Sequence, residues 1–501
     1  MKLNKYIPEN LNVDELIKEF PPFFKMDRDK LLHIISLLNE IPAIDHSQYE
    51  KEDGWIPIHS TLVQKVGIRD FPKYKDWLIE VGILETDGRY IPNEKATYYR
   101  FKEKYRRPIK IESISKKTLL KAISKKSNNE MISQKSYPHL FKWFDGLQID
   151  VDAAEDFLWQ KYKLDKKQGI LHSREKLNAG IINVDKIASG QIHFSVDQSA
   201  GRLHHNLSNM QSSLRNFMTY KGLPLVSIDI RNSQPAMCTA ILQPKFWGLL
   251  TDEETTNSVD RSNSYQETKG EKNFEKIRDL EGNTSENFKK IGVFEGQSIV
   301  FNDFPSKFQQ SIPNTTSPIM LAELHKTLAE PDVQKFIEVV SAGQLYEYME
   351  EQIHEHNRSV SGEIKEYTRK DIKVIIFTVL FTDNRFIGQQ SATPKRIFKS
   401  IFPNVYKILA MIKKTDKTML AILLQKLESM VVLDRITKRI AKERPKLPIY
   451  TIHDSITTTV GNEEYVQNVM KEEIQKAIGI VPALSIEFWA PLQIAKTKNV
   501  A

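Results

Sequence analysis

Two aspartates have the surroundings that most strongly predict chemistry in this chain. Asp229 lies in the apolar segment 223–230, and Asp454 lies in the apolar segment 449–456. Both segments are short and rich in β-branched residues, which predicts buried strands. A charge in a buried strand is costly unless it is paired or binds a metal. Two such aspartates on neighbouring strands could hold two divalent cations for in-line phosphoryl transfer.

Taken singly, each aspartate could equally be a turn or cap residue at the end of a strand. A stripe of four residues spaced four apart favours the chemical interpretation: Arg369, Lys373, Phe377 and Phe381. On an α-helix, steps of four residues drift by only about 40°, so these side chains share one face. The cations suit a triphosphate, and the rings suit stacking near a base and sugar. The alternative is an amphipathic helix with a basic shoulder.

Composition is that of an ordinary globular protein. With 501 residues, 40% of them hydrophobic and 27% charged, the chain is long enough for two to four domains. The single cysteine, Cys238, excludes an internal disulfide and a cysteine zinc cluster. No apolar run approaches the roughly 20 residues of a membrane span. The N-terminus has no apolar signal-peptide core, so we expect a cytoplasmic protein that does not contact membranes.

The N-terminal part predicts a small module followed by a basic region. Residues 1–50 show helical periodicity. Between residues 55 and 101 we expect a helix capped by Ser60, a second helix opened by Pro72, and a small hairpin that includes a strand at 89–91. Helix, helix, hairpin is the order of a winged-helix module, which could bind nucleic acid or simply pack. Eleven Lys or Arg residues between 100 and 126 would attract a phosphate backbone, or form a solvated face.

Three blocks in order resemble the family A DNA polymerases, the group that includes bacterial DNA polymerase I. The first block runs from Gly201-Arg202-Leu203 through Asn209, Gln211 and Arg215 to Asp229. The second is the Arg369–Phe381 stripe, and the third is His453-Asp454. The resemblance covers roughly residues 190–490.

The resemblance implies an α+β right-hand fold with an antiparallel palm sheet and helical fingers and thumb. The expected regions are an N-terminal winged-helix-like region (1–104), a basic helical thumb-like region (105–190), the first part of the palm (191–250), a flexible insertion (251–315), fingers and palm helices (316–444) and the second part of the palm (445–501).

The resemblance also implies residue roles. Asp229, Asp454 and the carbonyl of Ile230 would bind two Mg²⁺ ions, with Mn²⁺ as an alternative. Arg369 and Lys373 would act in catalysis by neutralising phosphate charge. The nucleotide site would comprise Arg369, Lys373, Phe377, Phe381, Gln234 and Ile230. Contacts to primer–template would come from Arg202, Asn209, Gln211, Arg215, His453 and Gln425. Glu428 could take the place of Gln425, and His453 could instead be a core histidine.

The chain departs from the family at three informative positions. Gln234 replaces a glutamate that helps to exclude ribonucleotides, Phe381 replaces a tyrosine, and Ser455 replaces a glutamate. His453-Asp454-Ser455 is also similar to phage-type single-subunit RNA polymerases. No Asp-x-Glu constellation in a strand context precedes residue 190, so we expect no proofreading exonuclease.

The leading hypothesis is a template-directed DNA polymerase, monomeric, that uses primer–template and nucleoside triphosphates. It would replicate a mobile element or phage, with the N-terminal region recruiting it to an origin or a replication partner. Two alternatives stay open: an RNA polymerase or primase on the same palm, and a catalytically inactive DNA-binding replication initiator.

Overall fold

The computed structural model describes residues 2–44, 54–89, 96–247, 318–360, 367–385, 387–389, 392–414 and 416–490. The predicted insertion 251–315 lies outside these ranges, as does most of the predicted strand 89–91. Within them the fold is α+β, and all the strand pairings are antiparallel. None of the helices in these ranges combines the length and apolar character that crossing a membrane requires.

The strands are β1 (Leu3–Pro8), β2 (Ile56–Pro57), β3 (Leu84–Thr86), β4 (Tyr98–Phe101), β5 (Ile109–Ile114), β6 (Leu147–Ile149), β7 (Phe194–Val196), β8 (Leu203–His205), β9 (Met218–Tyr220), β10 (Leu223–Ile230), β11 (Ile449–Ile452), β12 (Ser455–Thr459) and β13 (Leu484–Phe488).

The helices before the central gap are α1 (Val13–Glu19), α2 (Arg28–Ile44), α3 (Ser60–Lys65), α4 (Phe71–Glu80), α5 (Lys117–Ile123), α6 (Asn128–Ser136), α7 (Pro138–Phe141), α8 (Val151–Lys167), α9 (Ser173–Ala188), α10 (Asn206–Asn209), α11 (Ser212–Arg215) and α12 (Ser233–Ile241). Those after it are α13 (Pro318–Leu328), α14 (Pro331–Ser341), α15 (Leu345–Val360), α16 (Arg369–Phe381), α17 (Thr393–Ile401), α18 (Pro403–Ile412), α19 (Met419–Ser429), α20 (Thr437–Glu443) and α21 (Glu463–Ile478). A π-helical stretch, Met430–Ile436, joins α19 to α20.

The N-terminal module contains the predicted pair of helices and a small sheet. Helices α3 and α4 precede a sheet of strand order β2-β4-β3. Pro72 lies in the first turn of α4, and Gly82 follows that helix with a φ of 76°, the left-handed conformation that glycine adopts readily. The prediction that Ser60 caps α3 was wrong by one residue, because Ser60 is the first helical residue and His59 takes the cap position.

Strand β1 corrects the prediction that residues 1–50 are helical throughout. It pairs with β5 over six residue pairs, from Leu3 opposite Ile114 to Pro8 opposite Ile109. All of its residues except Asn4 are buried. The partner strand lies more than 100 residues further along the chain, so local periodicity contains no sign of the pairing.

Side chains of β1 also join the N-terminal module to α9. The Asn4 amide and the Tyr6 hydroxyl donate to the two carboxylate oxygens of Asp185, at 2.9 and 2.7 Å. Burial, followed by the hydrogen bond to Asp185, raises the pKa of Tyr6 above its ordinary value. Lys5 pairs with Glu40 of α2 at 2.7 Å. The module is therefore attached to the following helices by a buried polar network.

Strand β10 occupies the centre of the main sheet, whose order is β11-β12-β10-β9-β6, with β13 also paired to β10. Asp229 lies opposite Ser455 of β12 on one side and Ser485 of β13 on the other. Because side chains alternate along a strand, Ser227 and Asp229 share one face, and Ile228 between them faces the core. The sheet thus presents a polar face that carries Asp229.

Helix α16 has the same limits as the predicted stripe, Arg369 to Phe381. Thr368 and Asp371 form a reciprocal capping box: the Thr368 hydroxyl accepts the Asp371 N–H at 3.3 Å, and the Asp371 carboxylate accepts the Thr368 N–H at 2.9 Å. The opposite face is buried through Ile372, Ile375, Ile376, Val379 and Leu380. Cap and apolar face together fix the direction in which the stripe points.

Candidate active site

The two aspartates meet at the end of the central strands. Asp229 lies on β10 as predicted, whereas Asp454 lies in the two-residue turn between β11 and β12 rather than within a strand. His453, the first residue of this turn, has a φ of 56°. Because Asp229 lies opposite Ser455 in the sheet, the residue before Ser455, Asp454, lies beside Asp229, and each carboxyl group affects the pKa of the other.

Both carboxyl groups hold their protons more tightly than an ordinary aspartate. Burial, then the negative charges of Glu487 and Glu428, raises the pKa of Asp229. Burial, then the negative charges of Asp229 and Glu428, raises the pKa of Asp454. The positive charge of Lys373 opposes the shift at Asp229. Two neighbouring like charges repel, so the pair attracts a proton or a cation.

A cavity of about 620 Å³ opens over the two carboxylates, within the range of ligand sites. It brings together most of the residues that the sequence assigned to catalysis and nucleotide binding. The lining residues are Arg202, Asp229, Ile230, Arg231, Asn232, Ser233, Gln234, Pro235, Tyr346, Arg369, Lys373, Phe377, Glu428, His453, Asp454 and Ser485.

Helix α16 supplies the basic and aromatic wall of this cavity. The Arg369 guanidinium lies 4.7 Å from the ring centroid of Tyr346, and Lys373 Nζ lies 5.4 Å from that of Phe377. Phe377 and Phe381 stack with their centroids 5.5 Å apart and their planes at 20°. Phe381 does not line the cavity but supports Phe377 from behind. The wall offers two cations and one supported aromatic face.

Glu428 organises the floor of the cavity. It is only 2% exposed, and one of its oxygens accepts the Arg202 Nε–H at 3.0 Å and an Nη2–H of the same guanidinium. The other oxygen accepts the Ser233 hydroxyl at 2.6 Å and the Gln234 amide at 2.9 Å. Gln425, the residue preferred from the sequence, does not line the cavity. In the sequence, the feature that could have pointed to Glu428 is that it is the single acidic residue in the mostly apolar helix α19.

Two amide side chains at the start of α12, Asn232 and Gln234, each have a buried atom without a partner. Gln234 Nε2 donates to Glu428, so the Gln234 carbonyl oxygen Oε1 points away from it. Because an ionised carboxylate only accepts hydrogen bonds, this contact fixes which way the amide is turned. Among the described residues nothing donates to Gln234 Oε1, and nothing accepts from Asn232 Nδ2. Both residues line the cavity, although these two atoms are themselves buried.

The other residues predicted to contact primer–template lie in several places. Gln211 donates from its amide to the Lys176 carbonyl on α9, at 2.6 Å. Arg215 donates to the Leu207 carbonyl at 3.3 Å, and burial lowers its pKa. The Asn209 side chain accepts the Ser208 hydroxyl at 3.3 Å. These three residues lie outside the cavity.

His453 does line the cavity, and its side chain is exposed. Its ring centroid lies 6.3 Å from that of His204, with the two planes at 72°. Partial desolvation and the nearby positive charge of Arg202 lower the pKa of His453. A neutral imidazole at this position can donate or accept one hydrogen bond at the mouth of the cavity.

The donor set of the cavity fits magnesium. Across the described ranges, no group of three or more His, Cys, Asp or Glu side chains is arranged to hold a metal ion. Mg²⁺ needs no such group, because it keeps several waters and binds through one or two carboxylates together with substrate phosphates. The mutual repulsion of Asp229 and Asp454, opposed only in part by Lys373, is what a divalent cation would relieve.

No protein-family model and no curated protein matches this chain. Among solved structures, it is similar to the POL domain of Pol1 from M. smegmatis, in complex with DNA primer-template and dNTP. The alignment covers 67% of this chain and 56% of that chain, with 12% sequence identity and a TM-score of 0.27. This chain thus spans little more than half the length of the structure that it matches. A likeness of this size adds nothing to the geometry of the site.

Proposed function

We propose that this chain is a nucleic-acid polymerase that joins nucleotides to a primer 3′-hydroxyl under the direction of a template. One observation supports this more than any other: two neighbouring aspartates line one cavity together with Arg369 and Lys373. Acids that can hold divalent cations, opposed to cations that can hold phosphates, form the arrangement that nucleotidyl transfer needs. The order of the three blocks resembling family A supports the same proposal.

Asp229 and Asp454 would hold two Mg²⁺ ions, helped by the backbone carbonyl of Ile230. When bound, these ions would lower the pKa of the primer 3′-hydroxyl and neutralise charge on the phosphates. Ser485, opposite Asp229 on β13, adds a neutral oxygen on the same side of the cavity. The role of the strands is to hold the two carboxylates together despite their repulsion.

Helix α16 would hold the incoming nucleotide. Arg369 and Lys373 would bind phosphate oxygens and stabilise the charge that develops during transfer. Phe377, backed by Phe381, would stack against the base or sugar. His453 would contact the primer terminus from the opposite side. Arg202 is held by Glu428, so it would act mainly by shaping the cavity beside that terminus.

Deoxynucleotides are the proposed substrates, and Gln234 favours ribonucleotides as a second candidate. Gln234 lines the cavity, its Oε1 is a buried acceptor without a partner among the described residues, and a sugar hydroxyl is the donor that a nucleotide would offer once the side chain turns towards it. A ribose carries one more hydroxyl than a deoxyribose. RNA synthesis or priming on the same palm is therefore the alternative, and Ser455 and Phe381 agree with it by resemblance.

Primer extension tests the proposal. A labelled primer–template should be extended with dNTPs and Mg²⁺, and extension should stop in the D229N and D454N variants. Parallel reactions with NTPs, with Mn²⁺, with an RNA template and without primer define the substrate. Extension with NTPs alone would favour the second candidate. Full biological activity in both aspartate variants would indicate a DNA-binding initiator instead.

The proposed activity also suggests a biological role for the enzyme and a task for its N-terminal module. A monomeric polymerase without a proofreading exonuclease would suit replication of a mobile element or phage. The N-terminal winged-helix-like module would bring the enzyme to DNA or to a replication partner. Replacing exposed lysines of the module by alanine, as in a K65A/K73A double variant, should weaken DNA binding. The rate of nucleotide transfer on saturating primer–template should not change.

A further inference from the structure

Arg231 lies on the same side of the sheet as the catalytic aspartates, although no sequence signal pointed to it. The antiparallel pairing of β10 with β13 continues one step beyond the strand, since the Arg231 N–H donates to the Ala483 carbonyl at 2.9 Å. Side chains alternate along such a ladder, so Arg231 is directed to the same face as Asp229, two residues earlier. It lines the same cavity.

The stem of Arg231 is held in place while its charged end is available. The loop after α14 passes so closely that a Cβ added at Gly343 would lie 3.3 Å from Arg231 Cδ and 2.8 Å from the Cβ of Ala483. The side chain is nevertheless exposed to the cavity. Within the described ranges, no hydrogen bond or ion pair occupies the guanidinium.

The same loop links Arg231 to the cations of helix α16. Gly343 is followed by α15, whose Tyr346 lies beneath the Arg369 guanidinium at 4.7 Å. Arg231 and Arg369 therefore flank one element, and both line the cavity together with Lys373. Arg202, the fourth cation of the lining, is neutralised by Glu428. Arg369 pairs with Glu347 at 3.4 Å, but both side chains of that pair are exposed. Among the described residues Arg231 and Lys373 have no ion pair, so with Arg369 they are the cations of the lining that can turn to the space above Asp229 and Asp454.

We propose that Arg231 binds the triphosphate of the incoming nucleotide, as the third member of a cation set with Arg369 and Lys373. The inference rests on the proposed nucleotidyl transfer, and it assigns the substrate's phosphate chain to one wall of the cavity. A triphosphate carries several negative charges, and a planar guanidinium can contact two phosphate oxygens at once. We expect Arg231 to contribute more to the binding of triphosphate or pyrophosphate than to that of a monophosphate, because the longer phosphate chains carry more negative charge.

Equilibrium binding tests this inference separately from catalysis. The full chain is titrated with Mg²⁺–dNTP, Mg²⁺–pyrophosphate, dNMP and primer–template DNA, by calorimetry or fluorescence. R231A should weaken binding of the triphosphate and of pyrophosphate by about ten- to a hundredfold, the usual effect of a charge-assisted hydrogen bond. Binding of dNMP and DNA should not change. R231K should lie between wild type and R231A, because lysine keeps the charge but loses the fork.

K370A is the matched control, because Lys370 is an exposed cation on the same helix as Arg369 but does not line the cavity. It should bind each ligand as the wild type does. Wild-type affinity for pyrophosphate in R231A, or a loss of DNA affinity instead, would overturn the inference while leaving the polymerase proposal intact. If pyrophosphate binding depends on Arg231 but the protein extends no primer, the inference about Arg231 would stand and the polymerase proposal would fall. A melting temperature for each variant, with R231K as the mildest change, identifies any folding defect.

Discussion

The carboxylate of Glu428, buried in α19, accepts two N–H groups of Arg202, a residue 226 positions earlier in the chain. This pair connects the strand β8 side of the cavity with its helical floor. Glu428 also accepts Ser233 and Gln234, so the loop that follows Asp229 is positioned by the same carboxylate. The positions of the residues around Asp229 and Asp454 therefore depend on Glu428, a side chain that does not need to touch substrate.

Removing Arg202 should leave Glu428 as an uncompensated buried charge. R202A is expected to lower the free energy of unfolding by about 3–5 kcal/mol, and R202A/E428Q by clearly less, because the double variant removes both charges. Urea titrations of the two single variants and the double variant measure the coupling. K438A, which breaks the exposed pair of Lys438 and Asp434, is the control and should cost about 0–1 kcal/mol. Equal effects of R202A and K438A would contradict the buried-pair interpretation.

Neutralising either aspartate should separate activity from stability. D229N and D454N are expected to reduce nucleotide transfer by about 10²–10³ or more, as in other sites that lose a charge-stabilising group. In EDTA the same variants should melt at a higher temperature than wild type. Both pKa values are raised in the fold, so the ionised pair destabilises the cation-free protein, and an amide removes that repulsion.

The control for the aspartate variants is D434N, at a surface aspartate that is paired with Lys438. It should keep the wild-type transfer rate. A D454N protein that transfers nucleotides at the wild-type rate would remove Asp454 from the proposed site.

Placing at position 234 the glutamate that family A DNA polymerases have there by resemblance should destabilise this protein. In Q234E a second carboxylate would face Glu428 in a buried site, where the Gln234 amide now donates. The free energy of unfolding should fall by about 1–3 kcal/mol, the penalty for a buried polar group that loses its partner. Q234E/E428Q should recover most of this loss, because an amide again faces a carboxylate.

The sugar preference is measured on the same variants by primer extension with dNTPs and NTPs. Loss of NTP use in the stable Q234E/E428Q protein would assign sugar recognition to the free Gln234 oxygen. An additive effect of the two substitutions on stability would show that the two side chains are not coupled.

Acid should destabilise the fold through His205. Its Nε2 donates to the Thr451 carbonyl at 2.6 Å and its Nδ1 accepts the Leu207 N–H at 3.2 Å, so both nitrogens of the neutral ring are in use. Burial lowers the pKa of His205 from 6.5 to about 3. Above pH 6.5 both the folded and the unfolded chains keep this ring neutral. As the pH falls from 6.5 towards 3, only the unfolded chain binds the proton, and stability is lost by up to about 1.4 kcal/mol per pH unit.

H205Q keeps a donor for Thr451 but does not titrate, so its unfolding free energy should fall less steeply below pH 6.5. H33Q is a second test, because burial also lowers the pKa of His33 to about 3. H59Q, at an exposed position, should keep the wild-type slope. Urea unfolding at several pH values between 4.5 and 7.5 gives the slopes. Identical slopes in H205Q and wild type would show that His205 is protonated in the fold.

Local sequence patterns predicted the parts of the site that lie within single elements. The stripe on α16 was found because helical spacing is a short-range property, and Asp229 because β-branched runs indicate strands. Asp454 was placed in a strand, yet it occupies a turn. The β-branched residues of the two flanking strands gave no sign that His453 adopts a left-handed conformation.

Long-range relationships were not predictable in this way. Glu428 resembles an ordinary helix residue until Arg202, Ser233 and Gln234 are brought to it from distant segments. Arg231 resembled a charged residue that ends a strand, and only its register with Ala483 shows which face it occupies. Pairings between segments that are far apart in sequence leave no periodic trace in either one.

The pairing of β1 with β5 limits how this protein can be shortened. A chain started at residue 105, just after the predicted N-terminal region, would keep β5 but lose β1, leaving six residues of strand without a partner. An open strand edge of that length is a template for pairing with another molecule. Such a truncated chain should therefore self-associate, whereas a chain started after α5 would lack both strands and avoid that edge.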